Sequence, residues 1–254
     1  MEVGDGSIWN QSMPSDLFEA KLHGFGWLDD IAAVGDSEAR NRAQTWLLEW
    51  VSKFGMGKGL GWNPDLTGRR LTCWINHSIF IKNALPKNSV DLFHHSLALQ
   101  TVFLSRRWQQ VSTGVARLEA LCGLVCAGYS LVGMDHLGAT SLKILETECV
   151  AQITSDGTLL SRNPEELLKV FGLLIQIKIT LNLAEVQIPE PVLNRISKMV
   201  PILRSLRHGD GTLARFHGGS SGSEYFLDQT LAASEVRPSI PQELSLIHIS
   251  EPTR

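Results

Sequence analysis

The sequence predicts an all-α fold. Apolar residues recur with a period near 3.6 almost from the start of the chain to Arg207. Proline, glycine and Ser/Asn/Asp signals break that pattern at short intervals, as helix ends and turns require. No convincing alternating, strand-like stretch occurs before Gly209.

After an irregular opening over residues 1–15, residues 16–33 read as a broken helix with Leu17, Leu22, Trp27, Leu28 and Ile31 as its apolar positions. Residues 37–54 form a clear amphipathic helix. Ala43, Trp46, Leu47, Trp50 and Val51 share one face, Ser37 is the candidate N-cap, and Arg40 and Arg42 point outward. The glycine-rich residues 55–68, with Pro64, read as a loop. A helix over 71–85 is ended by Pro86, and Ser89 caps a further one reaching about residue 110. Helices over 113–131, 137–153, 164–185 and 191–207 follow, separated by turns such as Ser155-Asp156-Gly157 and Pro189-Glu190-Pro191. Roughly seven or eight helices on short connections favour an array of antiparallel helical hairpins.

Composition narrows the function classes. A net charge of -3 gives no electrostatic case for a nucleic-acid or membrane-surface partner. The longest apolar run, residues 118–132, contains Glu119, Gly123 and Gly128. It is too short and interrupted to span a bilayer, and reads as a buried helix whose glycines allow close packing. Cys73, Cys122, Cys126 and Cys149 show no CxxC pattern and no histidine partners at familiar zinc spacing. The start carries no basic and apolar leader pattern, which leaves a cytoplasmic or periplasmic location open. The last stretch, LSLIHISEPTR (residues 244–254), matches an in-frame translation of a sequencing-library adapter and is set aside as an artefactual tail.

Three segments in fixed order are the most informative: GRRLTCWINHSIFI (68–81), DGTLLSRNPEELL (156–168) and LRHGDGTLARFHGG (203–219). Together they resemble the helical half of heparinase II/III-type polysaccharide lyases, in a bacterial subgroup. The resemblance implies an incomplete α/α toroid over residues 16–208 and the start of a truncated C-terminal β-sandwich domain over 209–243. Residues 213–216 are then a first short strand, and 225–232 a turn of helix. It further implies cleavage of an acidic, uronic-acid-containing polysaccharide by β-elimination, with any metal belonging to the β-domain and so no metal or cofactor expected in this part. The oligomeric state stays open.

That chemistry needs a neutraliser for the substrate carboxylate and a base for the neighbouring carbon's proton. Lyases of this type place an Asn/His pair at the start of the helix matching residues 114–131, and a Tyr/His pair after the turn matching 158–164. Here those places hold Val115 and Ala116, and Glu166 and Leu167. Both pairs are absent, which raises a second reading: a non-catalytic glycan-binding or assembly protein on the lyase scaffold.

The remaining candidates carry two readings each. Asn163 before Pro164 has the form of an N-cap, and also a position facing the catalytic groove. Arg162 beside it is a carboxylate-binding candidate or a solvated arginine. Arg69 and Arg70 open a helix where positive charge is unfavourable, which suggests anion binding or pairing with nearby acids. His77 is a catalytic candidate or a packed histidine. Arg117 could neutralise a carboxylate. His208 is a substrate-binding candidate or a favourable charge at a helix C-terminus. Trp62, in the glycine loop, is the candidate for stacking on a sugar, whereas Trp46, Trp50 and Trp74 fit helix faces.

Overall fold

A computed structural model describes residues 7–236. Eleven α-helices make up the described residues, in the order α1 (Asp16–His23), α2 (Trp27–Val34), α3 (Ser37–Phe54), α4 (Pro64–Asn76), α5 (Ser78–Lys82), α6 (Lys87–Ser105), α7 (Val115–Ser130), α8 (Asp135–Gln152), α9 (Pro164–Leu183), α10 (Glu190–Ser205) and α11 (Glu224–Ser234). No strand occurs among them. The all-helical reading therefore holds, and most helix positions match the periodicity to within a few residues.

The differences have local causes. The break between α1 and α2 falls at Gly24–Gly26, where Phe25 takes a positive φ of 61°. Asp36, and not Ser37, caps α3 by accepting from the Ala39 N–H at 2.7 Å. Helix α4 begins at Pro64, so Gly68 lies inside a helix and the loop shrinks to residues 55–63. The helix expected over 71–85 is split at His77, whose ψ of 14° ends one hydrogen-bonding register and starts another. Helix α6 starts directly after Pro86, which leaves Ser89 within it.

Helix α7 organises the molecule. It packs against α4, α6, α8 and α9, and every residue from Leu118 to Gly128 is buried. A helix apolar on all sides belongs in an interior, and here it separates two cores. Leu121, Val125 and Cys126 face a core built with α8, α9 and α10, including Leu145, Phe171 and Met199. Ala120, Leu124 and Ala127 face an aromatic core holding Phe25, Trp50, Trp62, Trp74 and Phe93.

Glycine sets the spacing on both sides. A Cβ on Gly123 would lie 2.7 Å from the Gly68 carbonyl carbon on α4, and one on Gly128 would meet the backbone of Gly138 on α8. Real Cβ atoms do not approach backbone so closely, so these crossings exist only without side chains.

Beyond α10, residues 213–216 form no strand. A bridge pairs Arg207 with Leu213, and the N–H groups of Leu213 and Ala214 donate to the Ser221 and Leu206 carbonyls at 2.9 and 2.8 Å. The segment expected to be one helical turn is the longer α11, packed on α9 and α10. Leu213 and Leu227 join the same core as α7–α10. The expected adapter-like tail, 244–254, lies outside the described residues.

Candidate functional site

A cleft of about 450 Å³ opens where the start of α7, the end of α8 and the turn before α9 meet. Its walls include Val115, Glu148, Gln152, Leu160, Ser161 and Glu166. Two of the places where lyases of the resembled type carry their catalytic pairs, Val115 and Glu166, thus share one cleft although 51 positions apart (166 − 115).

Each wall is locally determined. Gly114 opens α7 with a φ of 112°, a conformation that favours glycine. Its N–H donates to Gln152 Oε1 at 3.0 Å, which ties the start of α7 to the end of α8. Gln152 Nε2 in turn donates to Glu148 Oε2 at 2.5 Å. Arg117 donates to Glu148 Oε1 at 3.2 Å and to the Val111 carbonyl at 2.9 Å. Opposite, Thr154 and Thr158 close a turn by exchanging hydrogen bonds. Gly157, with φ 92°, seats that turn against the backbone of Lys198 and Met199 on α10. Arg162 follows with φ 54°. Asn163 then caps α9, its Oδ1 accepting from the N–H groups of Glu165 and Glu166 at 2.9 and 3.3 Å.

Among the described residues, the lining of this cleft holds no histidine, tyrosine or asparagine, and it presents the carboxylates of Glu148 and Glu166. Arg117 is engaged by Glu148, so its charge is already matched within the protein.

The expected site residues do not converge. Trp62 is buried, not exposed for sugar stacking: its indole N–H donates to the Phe54 carbonyl at 2.5 Å, and its ring stacks on Trp50. Arg70 is likewise no surface anion binder. It is fully buried, donating to Gln100 Oε1 at 2.7 Å and to the carbonyls of Gly61 and His23 at 2.7 and 3.0 Å, with its guanidinium 4.0 Å from the Trp50 ring centre. Burial pushes its pKa well below the usual arginine value. Arg69, its neighbour, forms a forked pair with Glu119 on α7, with contacts of 2.8 and 3.1 Å. Burial raises the Glu119 carboxyl, and Arg69 opposes that shift.

Asn163 is committed to its cap, with its amide nitrogen 3.4 Å from the His217 carbonyl. His208 is exposed in a turn, where its N–H donates to the Thr212 carbonyl. Arg162 is exposed beside the cleft and makes no side-chain hydrogen bond or ion pair among the described residues. Of the expected residues, Arg117, Arg162 and the capping Asn163 border the cleft, whereas Trp62, Arg69, Arg70, His77 and His208 lie elsewhere.

Arg69 reaches a second cleft of about 440 Å³, lined mainly by apolar side chains including Ile8, Phe18, Leu22, Trp27 and Trp46. His77 Nε2 lies 2.6 Å from Asp29 Oδ1. On the adjacent turn of α4 the Cys73 thiol donates to the Phe25 carbonyl at 3.0 Å. Burial and the Asp29 charge push that thiol well above its ordinary pKa, so it is no nucleophile as it stands. Glu148 and Gln152 escaped the sequence reading because their i, i+4 spacing on α8 does not reveal that they meet Gly114.

The path of the helices matches known structures. Heparinase III superposes with a TM-score of 0.73 at 18% identity, covering 90% of this chain and 38% of that one. The chain has the helical fold of the heparinase-type lyases. Heparan sulfate lyase HepC from Pedobacter heparinus shares that fold, with a TM-score of 0.61, 20% identity, and coverage of 81% of this chain and 34% of that one. No family profile matches the chain. Among curated proteins, FtsZ-localized protein C from Caulobacter vibrioides is 27% identical over 237 residues. That alignment takes in 92% of this chain and 40% of the relative, so the chain spans about two fifths of that protein's length. Among the described residues no helix of this heparinase-type fold is long and apolar enough to cross a membrane.

Proposed function

We propose that this chain is the helical part of an assembly protein that keeps the heparinase-type fold without lyase chemistry, and that it is localised through FtsZ as its sequence relative is by name. One observation carries the proposal. The cleft formed by the start of α7 and the turn before α9 presents Val115, Glu148 and Glu166 where β-elimination needs a carboxylate neutraliser and a base. Fold alone does not preserve activity when the reacting groups are replaced. The relative named for its localisation with FtsZ supports the assembly role.

The glycan-binding variant of this reading has one specific support, the exposed Arg162 on the rim of the cleft. An arginine there can pair with a carboxylate of an acidic polysaccharide without any reaction following.

The test uses the full chain. Incubated with a panel of uronic-acid polysaccharides, it should give no rise in the ultraviolet absorbance of unsaturated uronate ends. A fluorescent fusion should co-localise with FtsZ in the source cells. A rise that disappears in Arg162→Ala would overturn the proposal and establish a lyase with a rearranged site.

A further inference from the structure

We propose that Asp29, Cys73 and His77 form a three-ligand site for a thiophilic divalent cation, with zinc the best fit, joining α2 to the α4–α5 junction. Cys73 and His77 stand four residues apart and so share a face of α4 and its end, and Asp29 reaches them from the first turn of α2. One donor atom from each side chain lies within 4.8 Å of the other two. Sulfur, imidazole nitrogen and carboxylate oxygen are the three donor types that zinc accepts, and three protein ligands leave a fourth position open.

Rotations of the three side chains bring the donors to zinc spacing. His77 Nε2 and Asp29 Oδ1 are 2.6 Å apart, and Cys73 Sγ and Asp29 Oδ1 are 4.0 Å apart. Around a tetrahedral zinc the corresponding separations are about 3.3 and 3.6 Å. The nitrogen–oxygen edge must therefore open by under about 1 Å and the sulfur–oxygen edge close by less than that. Asp29, whose side chain is 69% exposed, can supply both of these movements, and the Cys73–His77 edge, which lies within 4.8 Å, closes toward about 3.6 Å by rotation of those two side chains.

The surroundings suit a bound cation. Cys73 is buried, so the sulfur is shielded, whereas Asp29 opens the site to solvent and leaves an entry path. Metal binding displaces the thiol proton to solvent, and the Phe25 carbonyl then loses that donor. It is not orphaned, because it also accepts the Leu28 N–H at 3.0 Å.

Cobalt(II) is the probe, titrated into the full chain with its thiols kept reduced. The expected result is one equivalent bound with a thiolate-to-cobalt charge-transfer band, displaced by zinc. Cys73→Ser should abolish the band, and Asp29→Asn and His77→Gln should each weaken binding by more than about tenfold. Asp29 is exposed, so Asp29→Asn tests the site without threatening the fold. Absence of the band from a folded chain, its survival in Cys73→Ser, or unchanged affinity in Asp29→Asn would overturn the proposal.

Discussion

Gly68 on α4 and Gly123 on α7 meet backbone to backbone, close enough that a Cβ on either would overlap the other helix. A Cβ on Gly68 would fall 2.6 Å from the Ala120 Cα, so no flexible side-chain end could yield to it. This contact sets how closely α4 approaches the central helix, and with it the position of Arg69 opposite Glu119.

Gly68→Ala and Gly123→Ala should therefore destabilise the protein, although alanine is the better helix former by about 1 kcal/mol. Overpacking a tight contact costs about 1–3 kcal/mol, and more where only backbone can move. Urea unfolding should show a net loss for either variant. A net gain would mean that the helices separate without cost.

Stability should also depend on pH through His23. Burial first, and then the Arg70 charge, lower its pKa from 6.5 to about 4, and its Nδ1 accepts the Trp50 indole N–H at 2.8 Å. The folded state holds a neutral imidazole, whereas the unfolded chain binds a proton below pH 6.5. The contribution is complete above that value and is lost as pH falls toward about 4. The full span amounts to at most about 3 kcal/mol. Comparing the stability–pH profiles of the wild type and His23→Gln isolates it, and the variant should show a flatter slope in this window.

Among the described residues Arg70 has no carboxylate partner, and its hydrogen bonds to oxygens of His23, Gly61 and Gln100 tie α1, the loop before α4, and α6 together. Arg70→Ala should cost about 3–5 kcal/mol, from orphaned oxygens and a cavity beneath Trp50. Arg70→Lys should recover only part of that, because an ammonium lacks the planar fork. Thermal unfolding of both variants orders them.

Asn163→Ala should lower stability by about 1 kcal/mol, the usual contribution of an N-cap. Asn163→Asp should keep most of it, since the accepting oxygen remains. Denaturant midpoints check both. A loss with Asp equal to that with Ala would place the contribution in the amide contact to His217.

What the chain's order alone carried was everything that depends on neighbours a few residues away. The 3.6-residue period located the helices. Asn163 and Pro164 announced the start of α9, and the glycines in an apolar run announced a central helix packed at close range. These are local because a helix forms its hydrogen bonds within itself and shows its apolar face as a repeating pattern.

Which way the individual chemistry-bearing side chains face was settled only in three dimensions. Arg69 and Arg70 are adjacent, yet successive helix positions differ by about 100°, so one meets Glu119 and the other enters the aromatic core. Trp62 lies in a glycine-rich stretch that looks exposed, but a short 3-10 turn over Leu60–Trp62 folds its ring onto Trp50. Cys73 and His77 stand four residues apart, a spacing the sequence reading passed over, and Asp29 joins them across 44 positions (73 − 29) because the first turn of α2, a helix packed on α3, reaches the end of α4. Contacts of that kind arise from how apolar faces choose partners, and no pattern along one segment encodes the partner.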